Sequence, residues 1–208
     1  MRIPRTATIA IAIVTALVWL LIALMGADGR AAMVMGVVPA RLSGLIEVTP
    51  AVPAWLTPLS STLVHGGALH LALNLLMLIW CGTKVERILG AGPIFFLYVV
   101  GAYTAAIAQW ISSPVSPTPM IGASGAISAI IGAFALSFGQ QKRLVSSPGL
   151  NRTLNALWLL AAWVVLQIMT GVLAGVQGFL LATPAHIGGF IAGLLLQRPL
   201  LLWRYRSA

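Results

Sequence analysis

Residues 120–126 read MIGASGA and open the apolar run 121–139. One hydroxyl, Ser124, stands among Gly122, Ala123, Gly125 and Ala126, the smallest side chains available. In a membrane span such residues let helices approach closely, and a serine among them can return its hydrogen bond to its own backbone. The remainder of the chain decides whether this stretch is a packing surface or something more.

The chain has 208 residues, 60% of them hydrophobic and 7% charged, where soluble domains carry about 25% charged residues. So few polar groups cannot cover a globule in water, and the natural solvent is lipid. Apolar runs of spanning length lie at about 6–25, 60–82, 93–111, 121–139, 154–176 and 182–203. They predict an all-α polytopic membrane protein, a six-transmembrane-helix bundle forming a single membrane domain over 1–208. The run Thr6 to Met25 follows MRIPR. It is too long for the apolar part of a signal peptide and is expected as a retained first helix. Residues 27–58, with ARLSGLIEV and four prolines, are too polar to span and too apolar for a free linker. A structured outer loop with a short interfacial helix is expected there. The other breaks are GTKVERILGAGP, SSPVSPTP and GQQKRLVSSPGLNR.

With the N-terminus inside, the inner face receives Arg2, Arg5, Lys84, Arg87, Lys142, Arg143, Arg152, Arg198, Arg204 and Arg206, and the outer face only Arg30 and Arg41. Ten of twelve cations on one face is the sorting that cytoplasmic loops show, so both termini are expected in the cytoplasm. A net charge of +9 would point to nucleic acid in a soluble protein; here it is accounted for by that sorting, and no nucleic-acid partner is expected. Cys81, the single cysteine, excludes an intrachain disulfide and a Cys-rich metal site.

Polar groups inside the spans carry the functional reading. His70 and Asn74 are four apart and share a helix face. His65 lies about 140° around a helix from His70, so the two form no i,i+4 metal pair; an interfacial or packing role weighs as much for it as a chemical one. His186, Gly189 and Gly193 fall on one face of the last span, where the glycines make a small-xxx-small ridge that presses the histidine against a neighbouring helix. Dimer packing would use the same ridge. Ser124 starts the fourth span. Intramembrane polar groups cost free energy unless they pair or face water, so four at similar depth point to a shared site.

A hydroxyl, an imidazole and amide-type donors are the parts of an acyl-transfer site. The only acids are Asp28, Glu47 and Glu86. None is placed to orient His186, so a serine hydrolase here would work with a dyad. No pair of embedded aspartates and no HExxH is present, which removes aspartyl and zinc proteases. The missing embedded acid and the lack of an internal repeat weigh against a proton-coupled transporter.

HGGALHLALNLL, WCGTKVERILGAG, GASGAISAIIGA and AHIGGFIAG occur in that order. Together they resemble the rhomboid family of intramembrane serine proteases, from about Leu56 to Leu196. The resemblance implies Ser124 as nucleophile and His186 as general base, with His70, Asn74 and the Ser124 backbone amide forming the oxyanion hole. It gives His65 a structural role. Gly122 and Gly125 flank the nucleophile, Gly189 and Gly193 mark a close contact between the fourth and sixth helices, and Glu86 with Arg87 belongs to a cytoplasmic turn. It further implies a short fourth helix, no cofactor or metal, and single-pass or polytopic membrane-protein substrates cut near the outer face in the lipid bilayer of a bacterial inner membrane. Two positions depart from the family pattern. Where many members stack an aromatic residue on the histidine, four after the serine, this chain has Ser128, leaving His186 held less firmly or by a hydrogen bond. Trp55 lacks the adjacent arginine that many members carry in the outer loop. A catalytically silent rhomboid-like protein that binds membrane proteins is the alternative, and the intact Ser124 and His186 weigh against it.

Overall fold

A computed structural model of the chain describes residues 7–139, 143–176 and 181–206. Arg2, Arg5 and Lys142, three cations expected on the inner face, lie outside the described residues. In chain order the helices are α1 (Ala7–Leu24), α2 (Asp28–Met35), α3 (Pro39–Leu42), α4 (Thr57–Ser60), α5 (Ala68–Leu89), α6 (Ala91–Ser112), α7 (Ser124–Phe138), α8 (Pro148–Val176) and α9 (Thr183–Arg204). Among the described residues no strand forms beyond a bridge between Val37 and Met120. Helices α1, α5, α6, α8 and α9 are long and apolar enough to cross a membrane. The fold is a polytopic helical bundle. Helix α7 is equally apolar but has 15 residues; at 1.5 Å per residue it reaches only about 22 Å of a hydrocarbon core about 30 Å thick.

Four helix boundaries differ from the hydropathy reading by three residues or more, each for a backbone reason. The second span begins at Ala68 rather than 60, because residues 57–63 are taken by α4 and a 3₁₀ turn, and it runs to Leu89 rather than 82. Lys84, Glu86 and Arg87, expected in a break, lie in its last turns. Helix α5 stops at Gly90, whose φ of 90° an L side chain rarely adopts. Helix α7 starts at Ser124 rather than 121. Helix α8 starts at Pro148 rather than 154, with proline in the first position, where its missing N–H costs nothing.

Glu86 fastens α1 to α5. Its carboxylate accepts the Ala7 N–H at 2.8 Å, the Thr8 N–H at 2.9 Å and the Thr8 hydroxyl at 2.5 Å. A remote side chain thereby caps N–H groups that α1 cannot satisfy itself. Gly82, one turn earlier, has no Cβ, and one there would sit 2.7 Å from Thr8 Cγ2. On the other side of the bundle α6, α7 and α9 meet through small residues. A Cβ on Gly101 would lie 2.6 Å from that of Ala129, and one on Gly188 2.5 Å from that of Ala108. Leu78, Val85, Ile94, Leu97 and Ile127 fill the core between these helices and α5.

The loop over 27–58 is structured, with α2 as its longest helix. Val37 and Met120 exchange backbone hydrogen bonds of 3.0 and 2.8 Å. The Ser60 hydroxyl donates to Met35 O at 2.6 Å and the Trp110 indole to Ser43 Oγ at 2.8 Å. Trp55 is exposed. Arg41, fourteen residues before it, secures the loop internally by donating to Val52 O at 2.7 Å.

Candidate active site

Helix α7 can begin at Ser124 because the chain before it is turned and clamped. Gly122 takes a φ of 109°, and its N–H donates to Ser61 O at 2.9 Å. The next N–H, of Ala123, donates to His65 Nε2 at 3.4 Å. His65 is only 1% exposed, so it is a buried clamp on this loop, not an interfacial residue. The Ser124 N–H sits at the first position of α7, where its own helix supplies no carbonyl and the helix dipole is positive. Depth follows from packing. A Cβ on Gly125 would lie 2.5 Å from that of Ala105, which is two turns before α6 ends at Ser112. Ser124 therefore lies about 10 Å below that end.

Backbone contact brings α9 to the serine. A Cβ on Gly189 would collide with the Gly125 carbonyl oxygen, and one on Gly193 with that of Ala129. With both absent, His186, one turn before Gly189, reaches Ser124: Nε2 and Oγ are 2.7 Å apart. His186 is 8% exposed, whereas Ser124 is half-buried.

His70 and Asn74 approach from α5. The Gly66 N–H lies 3.4 Å from His70 Nδ1, so Nδ1 must accept and the neutral ring carries its proton on Nε2. That N–H faces Gly122. A Cβ on Gly122 would stand 2.8 Å from His70 Nε2 and 3.8 Å from Asn74 Nδ2. The missing side chain leaves open the space where these donors converge. Asn74 gives one N–H to His70 O at 3.1 Å and keeps the other. The rings of His65 and His70 meet edge to face at 5.0 Å. Chains of these atoms suit acyl transfer: a hydroxyl beside an imidazole, with N–H donors grouped on one side.

Sequence reasoning missed Gln167. It lies on α8, in WVVLQIMTG, and its Oε1 is 2.7 Å from His186 Nδ1. The signal was available, since a glutamine in an apolar span needs a partner. Ser128, the position where the family stacks an aromatic, does not touch His186 by hydrogen bond; its hydroxyl donates back to Ser124 O at 2.8 Å.

A model of the Rhomboid domain family matches residues 53–203. RHOMBOID-like protein 4 of Arabidopsis thaliana is 33% identical over 146 residues, covering 69% of this chain and 34% of the relative. Rhomboid protease GluP of Bacillus subtilis is 31% identical over 140 residues, 67% of this chain and 25% of the relative. Rhomboid protease GlpG of Pectobacterium atrosepticum is 30% identical over 138 residues, 66% of this chain and 45% of the relative. The matched region thus spans a quarter to somewhat under half the length of these curated relatives.

Proposed function

The chain belongs to the rhomboid family, and we propose that it is an intramembrane serine protease acting through a Ser124–His186 dyad on membrane-protein substrates. It is an integral multi-pass membrane protein. The observation that carries the reading is the 2.7 Å approach of His186 Nε2 to Ser124 Oγ, beside the converging donors of His70 and Asn74.

The Ser124 oxygen attacks the scissile carbonyl carbon as its proton passes to His186 Nε2. The carbonyl oxygen takes up negative charge within reach of His70 Nε2–H, Asn74 Nδ2–H and the Ser124 N–H, each donor worth about 3 kcal/mol in the transition state. Collapse breaks the C–N bond, and the Nε2 proton leaves with the amine. Water then attacks the acyl ester by the same route in reverse roles, freeing a carboxylate product and restoring the serine. No cofactor or metal enters this scheme. The substrate strand must be unwound, because a helix ties up its carbonyls. With the termini cytoplasmic, as the cation sorting indicates, Ser124 opens toward the outer face, and a bacterial inner membrane is the proposed setting. Substrates are single-pass or polytopic membrane proteins, and the site that cuts them belongs to a single membrane domain over 1–208.

The test is to treat purified wild type and Ser124→Ala with a fluorophosphonate probe and with a model transmembrane substrate. Labelling and cleavage by the wild type alone are expected. A folded wild type that neither labels nor cuts would overturn the protease reading in favour of a protein that binds membrane partners without cutting them.

A further inference from the structure

We infer that Gln167 is the positioning residue that sets the tautomer and orientation of His186, taking the place of the acid that the dyad lacks; this rests on the proposed protease function. An amide oxygen can only accept. With Gln167 Oε1 2.7 Å from His186 Nδ1, that nitrogen must carry the ring proton. The neutral ring then presents a bare lone pair at Nε2, so at 2.7 Å the Ser124 hydroxyl is the donor. This is the proton arrangement a general base needs before attack. The opposite tautomer would place N–H against the serine and block proton transfer.

Gln167 is itself held in place. Trp163 lies one turn earlier on the same face of α8, as Phe190 lies one turn after His186 on α9. The two rings stack with centroids 4.8 Å apart at 9°, and the Trp163 indole donates to His186 O at 3.2 Å. The Gln167–His186 contact and the Trp163–Phe190 stack thus lie side by side between α8 and α9, and the aromatic pair fixes the register of the polar one. Both Gln167 and His186 are buried, which keeps water from competing for Nδ1. Among the described residues, the titratable side chain that acts electrostatically on His186 is His70, across the site on α5.

The inference separates from mere packing through conservative variants. Gln167→Leu keeps the bulk and removes the acceptor; Gln167→Glu restores an acceptor oxygen. Two readouts are needed: the rate of fluorophosphonate labelling at Ser124, and ¹⁵N NMR of labelled histidine, which distinguishes Nδ1–H from Nε2–H without requiring activity. For Gln167→Leu we expect labelling and kcat about tenfold lower, in line with loss of one buried hydrogen bond, with KM unchanged and a mixed His186 tautomer. Gln167→Glu should recover both the rate and the Nδ1–H signal. Wild-type tautomer and rate in Gln167→Leu would overturn the inference, as would failure of Gln167→Glu to recover them. If the wild type holds Nδ1–H and loses it in Gln167→Leu, yet never labels, the positioning role stands and the protease reading falls.

Discussion

Two of the buried polar clusters, one toward each end of the bundle, are built on opposite principles. At one end Glu86 and Thr8 close on each other: the carboxylate meets three donors, and the Thr8 side chain is fully enclosed. At the other, Ser124 and His70 remain half-buried, and the N–H donors of His70 and Asn74 lie beside a space kept open by Gly122. A saturated cluster lowers the free energy of the fold, because none of its groups is left wanting a partner. A cluster with donors held ready forgoes that stabilisation and offers it to a negative charge that arrives later. Substitutions at the two ends should therefore separate cleanly into losses of stability and losses of rate.

The largest expected effect is at the open cluster. His186→Ala should lower cleavage of a transmembrane substrate by about 10⁴-fold or more, with thermal unfolding in detergent close to wild type. A large fall in melting temperature alongside it would mean that the open cluster also holds the fold. Next comes the closed cluster. Glu86→Ala strands the Ala7 and Thr8 donors and should cost about 3 kcal/mol, read as a lower melting temperature. The cleavage rate of the protein that stays folded should hardly change. A rate loss without a stability loss would break the comparison from the other side. Asn74→Ala removes one proposed oxyanion donor and should reduce kcat by about 10²-fold with little change in KM. Gly82→Ala forces a methyl to within 2.7 Å of Thr8 Cγ2 and should cost about 1–2 kcal/mol of stability, leaving the rate of folded protein intact.

How far these clusters could be read in the sequence follows from how each is assembled. The residues Ser124, His70, Asn74 and His186 stood out because polarity in an apolar run is conspicuous, and the glycine spacing of the last span pointed at helix contact. The structure places them together, with Gly189 and Gly193 against the α7 backbone. Gln167 is equally conspicuous by that rule, yet a lone residue names no partner; its role depends on the register of α8 against α9, which Trp163 and Phe190 set. Glu86 was legible as an unusual acid but not as a cap. Its partners are mainly backbone N–H groups 78 and 79 positions away, and backbone donors leave no trace in a sequence. Helix ends escaped for a related reason. Hydropathy follows side chains, whereas α5 continues through Lys84, Glu86 and Arg87 until the backbone of Gly90 turns it.

The smallest expected effect lies inside the open cluster and tests its boundary. Ser128 is 2% exposed and one turn after Ser124, so a role in holding His186 would be natural by position. Its hydroxyl instead donates to Ser124 O at 2.8 Å, an acceptor that the helix already engages through the Ser128 N–H. The bond is therefore a second donor to a satisfied carbonyl, of the kind that leaves a helix no more stable. Ser128→Ala keeps the Cβ that packs near Gly189 and removes only this surplus donor. Stability should change by less than about 0.5 kcal/mol, and labelling of Ser124 should stay within about twofold, which is a smaller change than loss of one working hydrogen bond produces. A loss as large as that expected for Gln167→Leu would show that α7 holds His186 as well as α8 does. Labelling unchanged in Ser128→Ala and reduced in Gln167→Leu would assign the histidine's orientation to the α8 side alone.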